Sequence, residues 1–224
     1  MSKARKTLKI GTRPSKLALR QAEEIKGLFP WVNFEVLIFQ TQGDRNKITP
    51  ISEVEGSDFF TREIDQALLT EKIDLAVHSS KDLPDKITPG LKVFLETKSL
   101  SPFDALVSRN NLNFRELPSA SLIGTSSRRR KDRIRLIRPD LVTVDIRGNI
   151  EERLNLIDSG KLDALVVAHA ALIRLGWEKR ISEVFSPDIF PAHPKQGRLS
   201  LVVKEEKWEK VKSILSEQAR ATGN

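Results

Sequence analysis

A short apolar run that ends abruptly in polar residues decides the fold: Asp74-Leu75-Ala76-Val77-His78-Ser79-Ser80-Lys81-Asp82-Leu83-Pro84. Leu75, Ala76 and Val77 are typical of a buried parallel strand, and Pro84 cannot continue a hydrogen-bonded ladder. The polar side chains are therefore expected at the carboxyl end of a strand. Ligands bind at that edge of open α/β sheets, because the strands direct their loops into a common crevice. A strand followed by an ordinary solvated turn is the alternative interpretation.

Strand and helix patterns alternate on both sides of this stretch. The pattern restarts after Ser101-Pro102-Phe103-Asp104, whose composition is typical of a hinge. Strands are expected at residues 8–12, 34–39, 93–95, 122–125, 141–144, 164–167 and 199–203. Such alternation predicts parallel sheets with helices on both faces. We expect a discontinuous first domain (residues 1–101 plus 196–224), a second domain (residues 102–195) and a cleft between them.

Composition limits the classes of function. The 224 residues include 38 Lys plus Arg, 30 Asp plus Glu and no Cys, with a net charge of +8. The lack of Cys excludes disulfides, thiolate metal sites and a thiol nucleophile on this polypeptide. No signal core or membrane-length apolar run is present, so a soluble, cytoplasmic protein is expected. The positive charge suits either nucleic acid or small polyanionic ligands.

A second polar segment, Gly124-Thr125-Ser126-Ser127-Arg128-Arg129-Arg130, opens a predicted helix. The free N–H groups and positive dipole of a helix start favour an anion, and guanidinium groups hold carboxylates in a bidentate fork. This segment therefore predicts a carboxylate or phosphate site. Between Arg128 and Arg138, seven basic residues accompany only one acid, Asp132, so a nucleic-acid-binding helix is an alternative. Sparse aromatic residues and the lack of a zinc, RNA-recognition or helix-turn-helix signature weigh against it.

Three motifs resemble the porphobilinogen deaminase (hydroxymethylbilane synthase) family. Residues 77–84 are similar to its active-site stretch. Residues 124–130, with Arg147-Gly148-Asn149 and Arg153, resemble its Gly-Thr-Ser-Ser, paired-arginine and Arg-Gly-Asn pattern. Its first motif is matched by Thr12-Arg13, Ser15, Leu17-Ala18 and Gln21-Ala22. The motifs follow the family's order from residue 8 to about residue 203.

The resemblance implies an α/β protein with two periplasmic-binding-protein-like domains and an interdomain cleft. It implies a transferase of tetrapyrrole (heme) biosynthesis, which polymerises four porphobilinogen units to hydroxymethylbilane and releases ammonia. Asp82 is then catalytic: it holds pyrrole N–H groups and stabilises the cation that forms as ammonia leaves. The residues implied in binding substrate and cofactor carboxylates are Arg13, Ser79, Lys81, Thr125, Ser127, Arg129, Arg130, Arg147 and Arg153. Ser57, Phe60 and Gln196 are candidate cleft contributors, and no metal is expected.

The family uses a dipyrromethane cofactor, joined by a thioether to a cysteine in a third, α+β domain. This sequence departs from that pattern, because it has no Cys and ends at Ala221-Thr222-Gly223-Asn224, about where the third domain would begin. The loop Glu55-Gly56-Ser57-Asp58 stands where the family has Gly-Lys-Gly, so Ser57 replaces a carboxylate-binding lysine. Residues 191–198 resemble the family's Pro-Ala-x-Gly-Gln-Gly turn with an insertion.

Three hypotheses follow from these features. In the first, the chain makes hydroxymethylbilane with a primer held non-covalently, or with a third domain supplied by a separate chain. The second is a degenerate relative that binds a polycarboxylate or tetrapyrrole without turnover, and the third is a basic nucleic-acid-binding module. Retention of Asp82 favours the first, and the missing cysteine favours the second. We expect no membrane partner, and a monomer by default.

Overall fold

The computed structural model describes residues 6–46, 48–49, 51–54 and 56–216. Residues 1–5, Glu55 and the chain end at residues 221–224, all considered above, lie outside this part. The strands are β1 Thr7–Thr12, β2 Asn33–Ile38, β3 Leu75–Ser79, β4 Leu91–Glu96, β5 Asp104–Ser108, β6 Leu122–Gly124, β7 Val142–Val144, β8 Ala164–Ala168, β9 Glu183–Val184 and β10 Leu199–Lys204. The α-helices are α1 Lys16–Leu28, α2 Gln42–Arg45, α3 Ile51–Val54, α4 Arg62–Leu69, α5 Arg128–Ile137, α6 Ile150–Asp158, α7 His169–Leu175 and α8 Trp208–Ser216. Among these helices, none is long and apolar enough to cross a membrane.

The described residues form two compact units. One draws on residues within 1–45, 56–97 and 199–224, and the other on residues within 46–55 and 98–198. Each unit contains one five-stranded mixed sheet. In both sheets four strands run in one direction and a single strand runs against them. The predicted α/β class with mostly parallel sheets is therefore confirmed.

In the first unit the strand order is β2-β1-β3-β10-β4, and β10 is the antiparallel strand. Successive side chains of a strand point to opposite faces of the sheet. Leu75 and Val77 of β3 accordingly lie in one buried cluster with residues of α1 and α8. Ala76, between them in sequence, lies in the other cluster, with Ile64 and Leu68 of α4. Both faces of the apolar run are thus covered by helices, which fixes β3 at the centre of the sheet.

In the second unit the strand order is β7-β6-β8-β5-β9, and β5 is the antiparallel strand. On one face, Ile134 of α5 packs in a buried cluster that includes the stacked rings of Phe185 and Phe190, 4.1 Å apart. On the other face, Leu154 of α6 and Leu172 of α7 cover the sheet. This packing fixes the start of α5 beside the carboxyl end of β6.

One expected hinge residue belongs to a strand. Asp104 is the first residue of β5, and the next three residues, 105–107, are almost fully buried. The apolar run after Asp104 makes this strand, because its residues fill both faces of the second sheet.

Candidate active site

The carboxyl ends of β1, β2 and β3 meet at one edge of the first sheet, because these strands are parallel. Arg13 follows β1, and the segment from Thr41 to Asp44, which enters the short helix α2, follows β2. The segment from Ser79 to Asp82 ends β3 and forms a single 3-10 turn. Ser15, a residue type that favours the N-cap position of a helix, starts α1, since its Oγ accepts a hydrogen bond from the Ala18 N–H at 3.2 Å. The fold therefore gathers polar residues of the first motif, of the segment after β2 and of the active-site stretch at this edge.

Asp82 is a half-buried carboxylate at the end of the central strand. Within the part of the chain that the structure describes, its side chain makes no hydrogen bond or ion pair. Lys81 lies beside it in the same turn, is half-buried as well, and has a partner elsewhere. The carboxylate is thus neither a helix cap nor the partner of Lys81.

Arg13 is held by a carboxylate and an aromatic ring. Its Nε donates to Asp44 Oδ1 at 3.1 Å, and its guanidinium carbon lies 4.6 Å from the centre of the Phe60 ring. Asp44 also accepts a hydrogen bond from the Thr41 hydroxyl at 2.8 Å. Burial alone would raise the pKa of Asp44, but the hydrogen bonds and charge of Arg13 outweigh it and hold the pKa below its usual range. Arg13 keeps a side-chain exposure of 24%, so part of the guanidinium faces solvent.

The remaining candidates of the first unit differ in burial. Ser79 Oγ accepts a hydrogen bond from Gln21 Nε2 at 2.8 Å, which ties β3 to α1. Ser57 is exposed, and its hydroxyl accepts from the Phe59 N–H at 3.3 Å. His78 is buried, and no described residue hydrogen-bonds its Nε2. Burial and the nearby charge of Arg13 lower the pKa of His78 to about 4, so its imidazole is neutral at pH 7.

The second unit has a corresponding edge at the carboxyl ends of β6 and β7, which are also parallel. Thr125 follows β6, is buried, and donates its N–H to the Val144 carbonyl at 2.9 Å. Ser127 is the N-cap residue of α5, but its hydroxyl makes no capping hydrogen bond. That half-buried hydroxyl is therefore available to a ligand at the helix start.

Asp104 joins Arg129 and Arg130 into one buried cluster. Arg129 Nη2 donates to Asp104 Oδ2 and Arg130 Nη2 donates to Asp104 Oδ1, both at 2.6 Å. Burial alone would raise the pKa of Asp104, but the charges and hydrogen bonds of the two arginines outweigh it and lower the pKa. The side-chain exposure is 31% for Arg129 and 8% for Arg130, so the two arginines are not equally accessible to a ligand.

Gln196 belongs to the same cluster. Its side chain is buried, and Nε2 lies 2.9 Å from Asp104 Oδ1 and 2.8 Å from the Phe103 carbonyl. Its Oε1 lies 3.4 Å from Arg130 Nη2. Gln196 is therefore buried beside Asp104 and helps to hold its carboxylate in place.

Arg147 and Arg153 flank the turn between β7 and α6. Arg147 Nη2 donates to the Asn46 carbonyl at 2.6 Å, and Arg153 Nε donates to the Gly148 carbonyl at 2.9 Å. Gly148 has φ +94°, and a Cβ there would collide with the side chain of Glu152, the residue that closes the capping box of α6. The Arg-Gly-Asn sequence therefore forms the tight turn that places Arg147 at the edge near α5.

The basic run of α5 is largely satisfied within the protein. Arg129 and Arg130 bind Asp104, Lys131 Nζ binds Asp145 at 2.5 Å, and Arg138 Nη2 binds Asp140 at 2.7 Å. Arg133 donates to main-chain carbonyls that include Asp188. Arg128 and Arg135 are the two exposed cations of this helix, fewer than its seven basic residues suggest for a phosphate backbone, which weakens the nucleic-acid alternative.

Sequence reasoning missed two acidic residues that organise the arginines, Asp44 and Asp104. Asp44 belongs to none of the motifs, and the composition around Asp104 predicts a hinge. One signal was present for Asp104: a charged residue directly before a buried apolar run needs a compensating charge. No group of three or more His, Cys, Asp and Glu residues with the geometry of a metal site occurs in the described part.

The fold defines a class of protein, the two-unit α/β fold of periplasmic binding proteins. A putative methionine-binding lipoprotein from Bacillus subtilis superposes with a TM-score of 0.54, and the similarity covers 95% of this chain and 91% of that chain. The sequence identity is only 10%, so this similarity shows the fold alone.

The family model for "porphobilinogen deaminase, dipyromethane cofactor binding domain" matches residues 8–212. The porphobilinogen deaminase of Natranaerobius thermophilus is 42% identical, over 89% of this chain and 66% of the relative. A probable porphobilinogen deaminase of Methanosarcina barkeri is 44% identical, over 88% of this chain and 63% of the relative. This chain belongs to the porphobilinogen deaminase family, as its motifs predict. It spans slightly less than two thirds of the length of these relatives.

Proposed function

We propose that this chain polymerises four porphobilinogen units to hydroxymethylbilane, with release of ammonia, in tetrapyrrole biosynthesis. The observation that carries the proposal is the carboxylate of Asp82, half-buried at the end of the central strand and without a partner among the described residues. Asp44 and Asp104 are paired with arginines, whereas no described cation pairs with the side chain of Asp82.

Asp82 acts on the reacting pyrrole in this proposal. Positive charge develops on the pyrrole as the bond between its aminomethyl carbon and nitrogen breaks and ammonia leaves. A fixed carboxylate at the carboxyl end of a strand stabilises that charge, and it accepts a hydrogen bond from the pyrrole N–H. A carboxylate already neutralised by an arginine would give little of this stabilisation, because its field is compensated before the reaction begins.

The arginines bind the acetate and propionate side chains. Each pyrrole contributes two carboxylates, and a guanidinium holds a carboxylate through two parallel hydrogen bonds. Arg13 and Arg129 are partly exposed, and Ser127 has an uncommitted hydroxyl at a helix start. The further candidates for these contacts are Ser79, Lys81, Thr125, Arg130, Arg147 and Arg153.

The arginines suit the carboxylates of the family's dipyrromethane cofactor, but the chain cannot attach that cofactor covalently. The arginine-rich edge of the second unit suits its carboxylates, whereas the 224 residues offer no thiol for a thioether. We propose that the group is held non-covalently by the arginines or is carried by a separate chain that supplies a cysteine-bearing domain. When bound, it supplies the primer to which the porphobilinogen units are added.

The test is incubation of the purified protein with porphobilinogen. The consumption of porphobilinogen and the absorbance of uroporphyrin after oxidation are measured. Three arms are run: the protein alone, the protein with free dipyrromethane, and the protein with the isolated carboxyl-terminal domain of the Natranaerobius thermophilus relative. Turnover in any arm supports the proposal and identifies the source of the primer. The proposal is rejected if none of the three arms shows turnover and cooperative unfolding shows that the protein was folded.

A second candidate function is binding of a polycarboxylate or tetrapyrrole without turnover. Two observations favour it: the absence of Cys, and the exposed Ser57 where the family pattern has a lysine. This function predicts tight binding of porphobilinogen or uroporphyrin in calorimetry but no ammonia release in any arm. Replacement of Ser57 by Lys would then increase the affinity without producing turnover.

A further inference from the structure

Three consecutive arginines occupy the first turn of α5, which contains no acidic residue. The amino end of a helix carries partial positive charge, so cations are unfavourable there. Arg129 and Arg130 add mutual repulsion, because their guanidinium groups converge on the same carboxylate. This arrangement needs a compensating negative charge close by.

Asp104 supplies that charge from a different element. It is fully buried at the start of β5, and each of its two oxygens accepts a hydrogen bond from a different arginine. Gln196 Nε2 gives Oδ1 a further donor at 2.9 Å. The carboxylate is therefore fixed by the sheet and by a buried amide, and not by the helix whose arginines it holds.

Each guanidinium is held at a second point as well. Arg130 Nη1 donates to the Val166 carbonyl at 3.2 Å, and Arg129 Nη1 donates to the Pro191 carbonyl. Both planes are thus oriented by protein atoms alone. The two arginines and one aspartate leave a net charge of +1, and Arg129 is the more exposed of the two cations.

We propose that Asp104 is the positioning residue of the carboxylate site: it orients Arg129 and Arg130 before the ligand arrives, and Arg129 presents the remaining charge to a ligand carboxylate. This inference rests on the proposed function, in which these arginines bind substrate or cofactor carboxylates. Preorientation matters because an arginine ordered in advance loses less rotamer entropy on binding.

The competing explanation is that Asp104 only balances buried charge. Two substitutions separate the explanations, because Asp104→Asn keeps the shape and removes the charge, whereas Asp104→Glu keeps the charge and moves it by one methylene. Asp140→Asn is the matched control, since Asp140 pairs with Arg138 at the other end of α5. Thermal midpoints report stability, and calorimetric titrations with porphobilinogen and with citrate report the affinity for carboxylates.

We expect Asp104→Asn to lower the midpoint strongly. Asp104→Glu should recover most of that loss yet bind porphobilinogen at least ~10-fold more weakly than wild type, because the guanidinium planes are displaced. The Asp140→Asn control should bind within about twofold of wild type. If Asp104→Glu binds porphobilinogen with wild-type affinity, the positioning role is overturned. It is also overturned if Asp104→Glu loses as much stability as Asp104→Asn, because the loss of affinity would then follow from the loss of stability.

A measurement on the wild type decides the matter where both variants fail to fold. Nitrogen-15 spectra of the arginine side chains, without ligand, should show slow rotation about Nε–Cζ for Arg129 and Arg130. Fast rotation for Arg129 would overturn the proposal, because its guanidinium would then not be oriented in advance.

The two probes distinguish failure of this inference from failure of the proposed function. If wild type binds citrate but neither binds nor converts porphobilinogen, the proposed function fails, and the affinities of the Asp104 variants for citrate still test the positioning role. If it binds neither probe, both proposals fail.

Discussion

The two units place one aspartate each near the polar edge of a sheet, in opposite environments. Asp82 of the first unit is half-buried and has no partner among the described residues. Asp104 of the second unit is fully buried and bonded to two arginines and an amide. The neighbours of a carboxylate, and not its residue type, thus decide whether its charge is available to a ligand or used to hold other side chains.

Removal of the charge of Asp82 should have the largest effect on activity. We expect Asp82→Asn to reduce turnover of porphobilinogen by ~100-fold or more, because the charge that develops as ammonia leaves loses its stabilising partner. Binding of porphobilinogen should change little, since the arginines that we propose to hold its carboxylates are untouched. Single-turnover release of ammonia, with calorimetry alongside, measures both quantities.

The matched control for Asp82 is Asp85→Asn, which changes an exposed acid three residues further along the same segment. It should leave turnover within about twofold of wild type. Equal turnover in wild type and Asp82→Asn would remove Asp82 from the mechanism and would end the contrast between the two aspartates.

Loss of an arginine from the buried cluster should have the largest effect on stability. Arg130→Met leaves Asp104 with one cation and leaves the Val166 carbonyl without that donor, so we expect a loss of about 3 kcal/mol in the free energy of unfolding. Arg135→Met, on the exposed side of the same helix, should change it by less than about 0.5 kcal/mol. Denaturant unfolding compares the two, and similar losses would show that the cluster gives no special stability.

Much of the fold follows from local sequence. The run Leu75-Ala76-Val77 predicts a buried strand, and Pro84 and Gly148 mark where the chain must turn. Strand ends carry the site motifs, so parallel pairing alone brings Arg13 to the same edge as Asp82. These features are local in the chain, and for that reason the sequence shows them.

The support of the site does not follow from local sequence. Asp104 meets Arg129 across 25 positions and Gln196 across 92 positions, so no short motif contains the cluster. The antiparallel direction of β5 is likewise set by its partner β8, which lies far along the chain. Pairing at such separations depends on how the second sheet assembles, and a pattern of apolar residues does not specify it.

Asp65 of the first unit extends the comparison to a buried acid that pairs with no cation among the described residues. Its Oδ2 accepts hydrogen bonds from Thr88 at 2.7 Å and from Thr61 at 3.1 Å. Burial raises the pKa of Asp65, and the two hydroxyls only partly offset the effect. Below the unfolded-state pKa near 4 its contribution to stability is complete, and it is lost as the pH rises through the raised folded-state pKa.

We therefore expect Asp65→Asn to be more stable than wild type at pH 7, with a difference that shrinks toward pH 4. The pH dependence of the stability contributed by Asp104 has the opposite sign. The lowered pKa of Asp104 gives stability above about pH 4 that is lost as the pH falls. Urea unfolding between pH 4 and pH 7 tests the sign for Asp65, and unfolding at pH values below about 4 tests the sign for Asp104. The control Thr88→Val removes a donor to the ionised carboxylate and should lower stability at pH 7. A difference between Asp65→Asn and wild type that grows toward low pH would contradict this account.

Glu71 is the surface counterpart of Asp104, and its loss should have the smallest effect. Lys204 and Lys207 donate to its two oxygens at 3.0 and 2.7 Å, and these hydrogen bonds lower the pKa of Glu71 to about 2. The group is open to solvent, so water and salt screen its charge. The stability that it gives is present above the unfolded-state pKa and is lost as the pH falls through about 2.

Replacement of Glu71 by Gln should lower the thermal midpoint slightly at low salt and not measurably at about 1 M salt, where the Debye length is only about 3 Å. The control Glu35→Gln, an exposed acid on β2, should change the midpoint at neither salt concentration. Arg130→Met should keep its full effect in high salt, because a buried pair is screened much less than an exposed one. A salt-independent loss in Glu71→Gln as large as that in Arg130→Met would show that burial is not what separates the two carboxylates.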